Sequence, residues 1–241
     1  RATPGVPART VTRPPPPARA GRQGYLVQVA ALSSAARAQA DGRFAAEIVA
    51  VQIPQLKGDH IAVETDEHPR ETSLEALAKL RGINRPDGTV TAGNASGVND
   101  GAAALILASG GAVERYGLTP KARVLGCAVA GVPPRIMGIG PAPATKKLCA
   151  RIGWTPQDLD VIELNEAFAS QALYCRDRLG IDPDKFNVNG GSIAIGHPFG
   201  MTGARTAGHI LLEGRRRGAK WGVVTMCIGG GQGAAGLIEI F

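Results

Sequence analysis

Long apolar runs are missing from this sequence of 241 residues. A membrane-spanning helix needs about 20 consecutive apolar residues, and no stretch approaches that length, so no membrane partner is expected. An apolar central stretch behind the N-terminal arginines is missing too, so the pattern of a secretory signal is not there. Cysteine is scarce: the four present (Cys127, Cys149, Cys175 and Cys227) are widely spaced and form no CxxC pair. That argues against a disulfide framework and for a reduced, cytoplasmic protein. With no Cys/His cluster, no metal site is expected. The absence of a GxSxG segment removes the strand-to-helix serine elbow of many hydrolases. Acidic residues are absent from residues 1–24, which hold five arginines (Arg1, Arg9, Arg13, Arg19 and Arg22). Subtracting these from the formal charge of +7 leaves +2 for the rest. That mild excess suits an anionic small molecule better than a duplex, and no nucleic-acid partner is expected.

What is present points to a glycine-rich α/β enzyme. Apolar residues are 44% of the chain, enough for a core, and the 33 glycines imply many tight turns. Residues 1–33 read as a disordered Pro/Arg-rich leader, with Pro14 to Pro17 favouring an extended polyproline run. The pattern changes from about Ser34, where a helix is expected up to Gly42. Glu47–Leu56 is β-like, and Thr72 is expected to cap SLEALAKL with Glu75 completing a capping box. In TVTAGNASGVNDGAAALILAS a strand leads to a loop, a small-residue helix and an apolar run, Ala104–Ala108, that suits a buried strand. Further on the expected elements are a strand over Ala122–Val132, a helix over Pro141–Ile152 and a strand over Val161–Leu164. A helix over Glu166–Leu179, a long helix ending near Arg217 and strands Gly222–Ile228 and Ala235–Phe241 complete the series. Strands alternating with helices, then a terminal hairpin, predict a layered α/β domain with a mixed sheet.

Three segments stand at strand exits, where α/β folds place ligands. Asn165-Glu166-Ala167-Phe168-Ala169 follows VIEL, and its asparagine suits either a helix cap or a functional amide. Gly190-Gly191-Ser192-Ile193-Ala194-Ile195-Gly196-His197-Pro198 holds a histidine between glycine and proline, in a rigid turn with little local bulk. Cys227-Ile228-Gly229-Gly230-Gly231-Gln232-Gly233 sets a cysteine at a strand end before a run of glycines. A cysteine there is usually a small buried hydrophobe, but glycine N–H groups free of Cβ crowding can converge on an oxyanion.

In the order Asn, His, Cys, the segments NEAFA, GGSIAIGHP and CIGGGQG resemble the signature segments of the thiolase family. The resemblance runs from about Ala36 to Phe241 and takes in DEHPR, TVTAGNASGVNDGAAALILAS and GVPPRIMGIGPAPATKKL. It is similar to the bacterial 3-oxoacyl-CoA, 3-oxoadipyl-CoA and acetyl-CoA thiolases alike. It implies cleavage of a 3-oxoacyl-CoA by CoA, or the reverse Claisen condensation, with coenzyme A as substrate and no permanently bound cofactor. By resemblance, His197 helps activate a nucleophilic cysteine and hold the thioester oxygen, and Asn165 positions a water on that oxygen. Cys227 moves the α-proton, its pKa tuned from about 8.5 toward neutrality, and Gly229 supplies an oxyanion N–H. Ser96, flanked by Ala95 and Gly97, contacts the pantetheine arm of CoA. Arg70 lies near the adenine, Phe168 lines the pocket, and Ala76 replaces a polar contact found in some relatives.

The resemblance also implies a layered α-β-α-β-α fold. Residues 34–97 would be a loop-domain remnant with CoA contacts, 98–121 the last helix and strand of the N-terminal core domain, and 122–241 a complete C-terminal domain. The family's nucleophile sits on a segment resembling N-R-x-C-G-S-G, and no such segment occurs here. Cys127, Cys149 and Cys175 read as buried structural residues, so this polypeptide is not expected to catalyse thiolysis alone. A CoA-binding pseudoenzyme, or a fragment that complements another chain, is the alternative. Homodimers or homotetramers are the family habit.

Overall fold

The computed structural model describes residues 38–241; the leader and the first part of the helix expected from Ser34 lie outside the described residues. Its organising element is a four-stranded mixed sheet in the order β3-β6-β5-β4. The strands are β3 (Ala122–Gly131), β4 (Val161–Leu164), β5 (Trp221–Ile228) and β6 (Gln232–Ile240). β5 and β6 form an antiparallel hairpin, β6 pairs antiparallel with β3 across a register shift at Val124/Gly126, and β4 runs parallel to β5. The 3-residue hairpin strands β1 (Val51–Ile53) and β2 (Ile61–Val63) stand apart, so only the centre of the β-like stretch Glu47–Leu56 becomes strand.

Helices cover both faces. In chain order they are α1 (Leu74–Ala78), α2 (Gly110–Tyr116), α3 (Pro141–Arg151), α4 (Ala169–Leu179), α5 (Ser192–Ile195) and α6 (Thr202–Arg217). On one side Leu148 and Cys149 of α3 and Ala172, Cys175 and Leu179 of α4 join Ile162, Leu164, Val223, Ala235 and Leu237 in one cluster. On the other side Ile210 of α6 packs with Val161, Ile238 and Ile240. Strand residues alternate between the two clusters as period-2 geometry demands. Double coverage explains why all four residues of β4 are buried, Glu163 included.

Several expectations are corrected. The cap of α1 is Ser73, whose hydroxyl accepts from the Ala76 N–H, one residue beyond the expected Thr72. The helix of NEAFA begins at Ala169, with Phe168 as N-cap and the Gln171 side chain accepting from the Phe168 N–H, so Asn165 is not its cap. The strand expected at Ala104–Ala108 does not form, and Ile106 and Leu107 are 93% and 83% exposed. A buried strand exists only through its neighbours, and no described strand lies beside it. Within residues 98–121 the helix forms instead at Gly110–Tyr116, capped by Ser109 and closed by left-handed Gly117. Cys127, expected buried, is exposed on edge strand β3.

Candidate acid–base site

β4 and β5 run parallel, and β4 ends opposite Thr225 while β5 continues to Ile228. Leu164 pairs with Thr225, and the Asn165 N–H donates to the Thr225 carbonyl at 3.0 Å, carrying the ladder one residue further. With strands about 4.8 Å apart, this register brings Asn165 and Glu166 to the level of Met226 and Cys227. Glu166, 2% exposed, accepts from the Asn187 side-chain amide at 2.9 Å and the Ile193 N–H at 3.3 Å. Burial raises its pKa. Those bonds tether the loop that carries the histidine to the end of β4. The tether explains Gly191, since a Cβ there would overlap the Glu166 carboxylate.

His197 is thereby brought to Asn165. The Asn165 Nδ2 lies 3.3 Å from His197 Nε2, and the Ser192 hydroxyl donates to Asn165 Oδ1 at 2.5 Å. On the ring's other side, His197 Nδ1 is 2.7 Å from the hydroxyl of Thr202, the first residue of α6, which donates to the Pro198 carbonyl at 2.9 Å. Burial and the positive charge of Arg205 lower the His197 pKa, favouring the neutral ring. The half-buried imidazole lies against exposed Phe199, with ring centroids 4.8 Å apart and the planes tilted by 58°.

The GNASG loop lies along both segments. Ala95 bridges Phe168, the Ser96 N–H donates to the Ala167 carbonyl at 3.0 Å, and the Ser96 hydroxyl donates to the same oxygen at 3.4 Å. The Gly97 carbonyl accepts from the His197 N–H at 2.9 Å. Ala95, Ser96, Gly97, Phe168 and His197 therefore form one contiguous cluster, with buried Asn165 beneath it. Arg70 is exposed and stands apart from it. It lines a shallow cleft of about 230 Å³ with Thr72, Ala76, Leu80, Gly93 and Ile193, which meets the cluster through Gly93 and Ile193.

Cys227 is buried near the end of β5, opposite Gly233 of β6, and Gly229 opens the turn between them with free space beside its Cα. Among the described residues, no hydrogen bond joins Cys227 to His197 or Asn165. Burial raises the Cys227 pKa, contrary to the expected tuning toward neutrality: among the described residues no cation offsets the loss of solvation. At rest the group is a thiol, a proton donor. Burial also raises Cys149, helped by the charge of Asp158, and pushes Cys175 up to about 12.

Sequence reasoning missed Ser192 and Thr202. Ser192 lay inside a quoted segment without a role. The usable signal for Thr202 was a hydroxyl five residues after the histidine, at the start of a long helix.

The family described as "Thiolase, C-terminal domain" matches residues 118–240, and "Thiolase, N-terminal domain" matches residues 26–111. The chain belongs to the thiolase family. A beta-ketoadipyl-CoA thiolase of Pseudomonas aeruginosa is 60% identical over 208 residues, covering 85% of this chain and 52% of that protein. An acetyl-CoA acetyltransferase of Chromobacterium violaceum is 53% identical over 206 residues, covering 85% and 53%. Among solved structures, the acetyl-CoA acetyltransferase of Bacillus anthracis superposes with a TM-score of 0.88 at 43% identity, covering 92% of this chain and 56% of that one. Human mitochondrial 3-ketoacyl-CoA thiolase in complex with CoA gives 0.82 at 39% identity, covering 92% and 55%. The layered thiolase fold is thus shared at high similarity. The chain spans about half the length of the curated relatives it matches.

Proposed function

We propose that this chain carries the acid–base half of a thiolase site beside a coenzyme A surface. The observation that carries the reading is the Asn165–His197 pair, 3.3 Å apart at the end of the parallel strand pair whose other member carries Cys227. His197, neutral and with Nε2 toward Asn165, is a base for a thiol proton. Once Nε2 holds that proton it becomes a donor, and Nε2–H and the Asn165 amide can share the thioester oxygen as charge develops there. Cys227, kept protonated by burial, delivers a proton to the α-carbon of the departing enolate in the cleavage direction; in condensation its thiolate removes that proton. Gly229 is assigned a backbone N–H on the second oxyanion. Ser96, with Ala95, Gly97 and Phe168, is assigned the pantetheine arm, and Arg70 the adenine end. In this reading residues 34–97 supply CoA contacts and residues 122–241 the proton chemistry. CoA is a substrate, and the acyl-CoA class is that of the 3-oxoacyl or 3-oxoadipyl thioesters on which the relatives' names rest.

A second reading, a CoA-binding protein without turnover, is favoured by one observation. The 241 residues contain no N-R-x-C-G segment, and two of the three remaining cysteines have thiols raised by burial. Calorimetric titration with CoA, followed by a thiolysis assay with acetoacetyl-CoA and CoA, tests both. Binding without turnover is expected of these 241 residues. No CoA binding would overturn both readings. Turnover abolished by Cys127→Ser, Cys149→Ser or Cys175→Ser would show that the nucleophile is within the chain.

A further inference from the structure

The hydroxyl of Thr202 has one proton and two close partners, His197 Nδ1 at 2.7 Å and the Pro198 carbonyl at 2.9 Å. A carbonyl oxygen can only accept, so the hydroxyl proton goes to Pro198 and the oxygen is left to accept from the ring. Nδ1 must therefore carry the hydrogen. In a neutral imidazole this leaves the lone pair on Nε2. The far side of the ring gives the same answer independently. An asparagine Nδ2 can only donate, so Nε2, 3.3 Å from it, must accept. That orientation of the amide turns Oδ1 toward Ser192, whose hydroxyl supplies the matching proton at 2.5 Å.

All four bonds run in one direction. Ser192 donates to Asn165, Asn165 to His197, His197 to Thr202, and Thr202 to a backbone carbonyl that ends the chain. Ser192, Asn165 and Thr202 are each 2% exposed or less, so bulk water does not compete for these positions. A chain of like-directed hydrogen bonds polarises each member. Reversing any one of them would leave two donors or two acceptors face to face in the interior.

We infer that Thr202 is a positioning residue that sets the place of the proton in His197, with Ser192 holding the other end of the chain. A free imidazole ring favours the opposite form, with hydrogen on Nε2, which would have no base to offer there. Thr202 reverses that preference and leaves Nε2 the basic nitrogen. The inference rests on the acid–base reading for its purpose, but the place of the proton is measurable without any turnover.

Long-range ¹H–¹⁵N correlation spectra of the full 241-residue chain at neutral pH decide it, with His197 identified among the four histidines by its loss in His197→Gln. The wild type is expected to show Nδ1 as the protonated, pyrrole-type nitrogen and Nε2 as the pyridine-type one. Thr202→Val, close to isosteric, is expected to shift the population toward the Nε2–H form. Thr202→Ser should restore the wild-type pattern, and Ser192→Ala should keep it, since Thr202 still holds Nδ1. A wild-type ring protonated on Nε2 would overturn the inference, as would a folded Thr202→Val variant with the wild-type pattern. If Thr202→Val does not fold, the wild-type and Thr202→Ser spectra still decide. Failure of CoA binding with the expected tautomer would defeat the functional reading and leave this one standing.

Discussion

Glu163 lies inside β4, 1% exposed, between the two apolar clusters that hold the sheet. Burial lifts its pKa from 4.5 to about 7, although the charges of His209 and Arg205 pull the other way. One carboxylate oxygen has no hydrogen-bond partner among the described residues, and His209 Nε2 is 4.0 Å away. The sign follows from linkage. A group whose pKa is raised by folding binds its proton more tightly in the native state, so its contribution is intact below about pH 4.5 and lost as pH rises through about 7. At pH 8 the unfolded chain has released the proton at far lower cost, and a shift of roughly two and a half units corresponds to about 3 kcal/mol. Glu163→Gln keeps shape and polarity and cannot ionise. Urea unfolding followed by tryptophan fluorescence is a suitable assay, because Trp154 and Trp221 pack edge-on at 4.8 Å against the main core. Relative to wild type, the variant is expected to gain about 3 kcal/mol at pH 8 and under about 1 kcal/mol at pH 5. An equal gain at both values, or a loss at pH 8, would refute the reasoning. Around His209, burial opposes the charged ring, but its hydrogen bond to the Glu47 carboxylate and the charges of Glu163 and Glu47 outweigh it and raise the pKa. Its contribution therefore also fades as pH rises, steepening the wild-type decline.

Two further perturbations follow from local geometry. Gly191→Ala forces a methyl group into the Glu166 carboxylate that tethers the histidine loop, and a loss of about 1–3 kcal/mol in urea unfolding is expected; a neutral result would mean the loop moves freely. Titration with a disulfide thiol reagent at pH 8 should show one fast thiol, exposed Cys127. Cys149, Cys175 and Cys227 should react slowly, being buried with raised pKa values. Cys127→Ser should remove the fast phase.

The elements legible in the sequence were those whose own residues decide them. Val161–Leu164 is an unbroken apolar stretch but for Glu163, and Pro141, Gly153 and Gly180 punctuate their helices where the structure does. The thiolase segments were legible as text, and the structure brings Asn165, His197, Ser96 and Phe168 into one cluster. What could not be read depends on distant partners. Ala104–Ala108 has the composition of a buried strand but, among the described residues, no neighbour to pair with. Glu166 to Phe168 read as helix, yet they stay outside it, because the Ala167 N–H turns back to the Asn165 carbonyl and the GNASG loop takes the Ala167 carbonyl and bridges Phe168. The roles of Ser192 and Thr202 and the buried charge of Glu163 are set by contacts 5 to 46 positions away in sequence, which no local pattern encodes.

A proton-transfer site for a CoA thioester can be read without any turnover. The most direct measurement is loss of the acetyl methyl protons of acetyl-CoA in D₂O, followed by proton NMR with the 241-residue chain present. Exchange above the buffer rate is expected, rising with pH because only the Cys227 thiolate removes the proton. A fall on the order of 10²-fold or more is expected in Cys227→Ser and Asn165→Ala. Exchange no faster than buffer, or exchange untouched by Cys227→Ser, would contradict it.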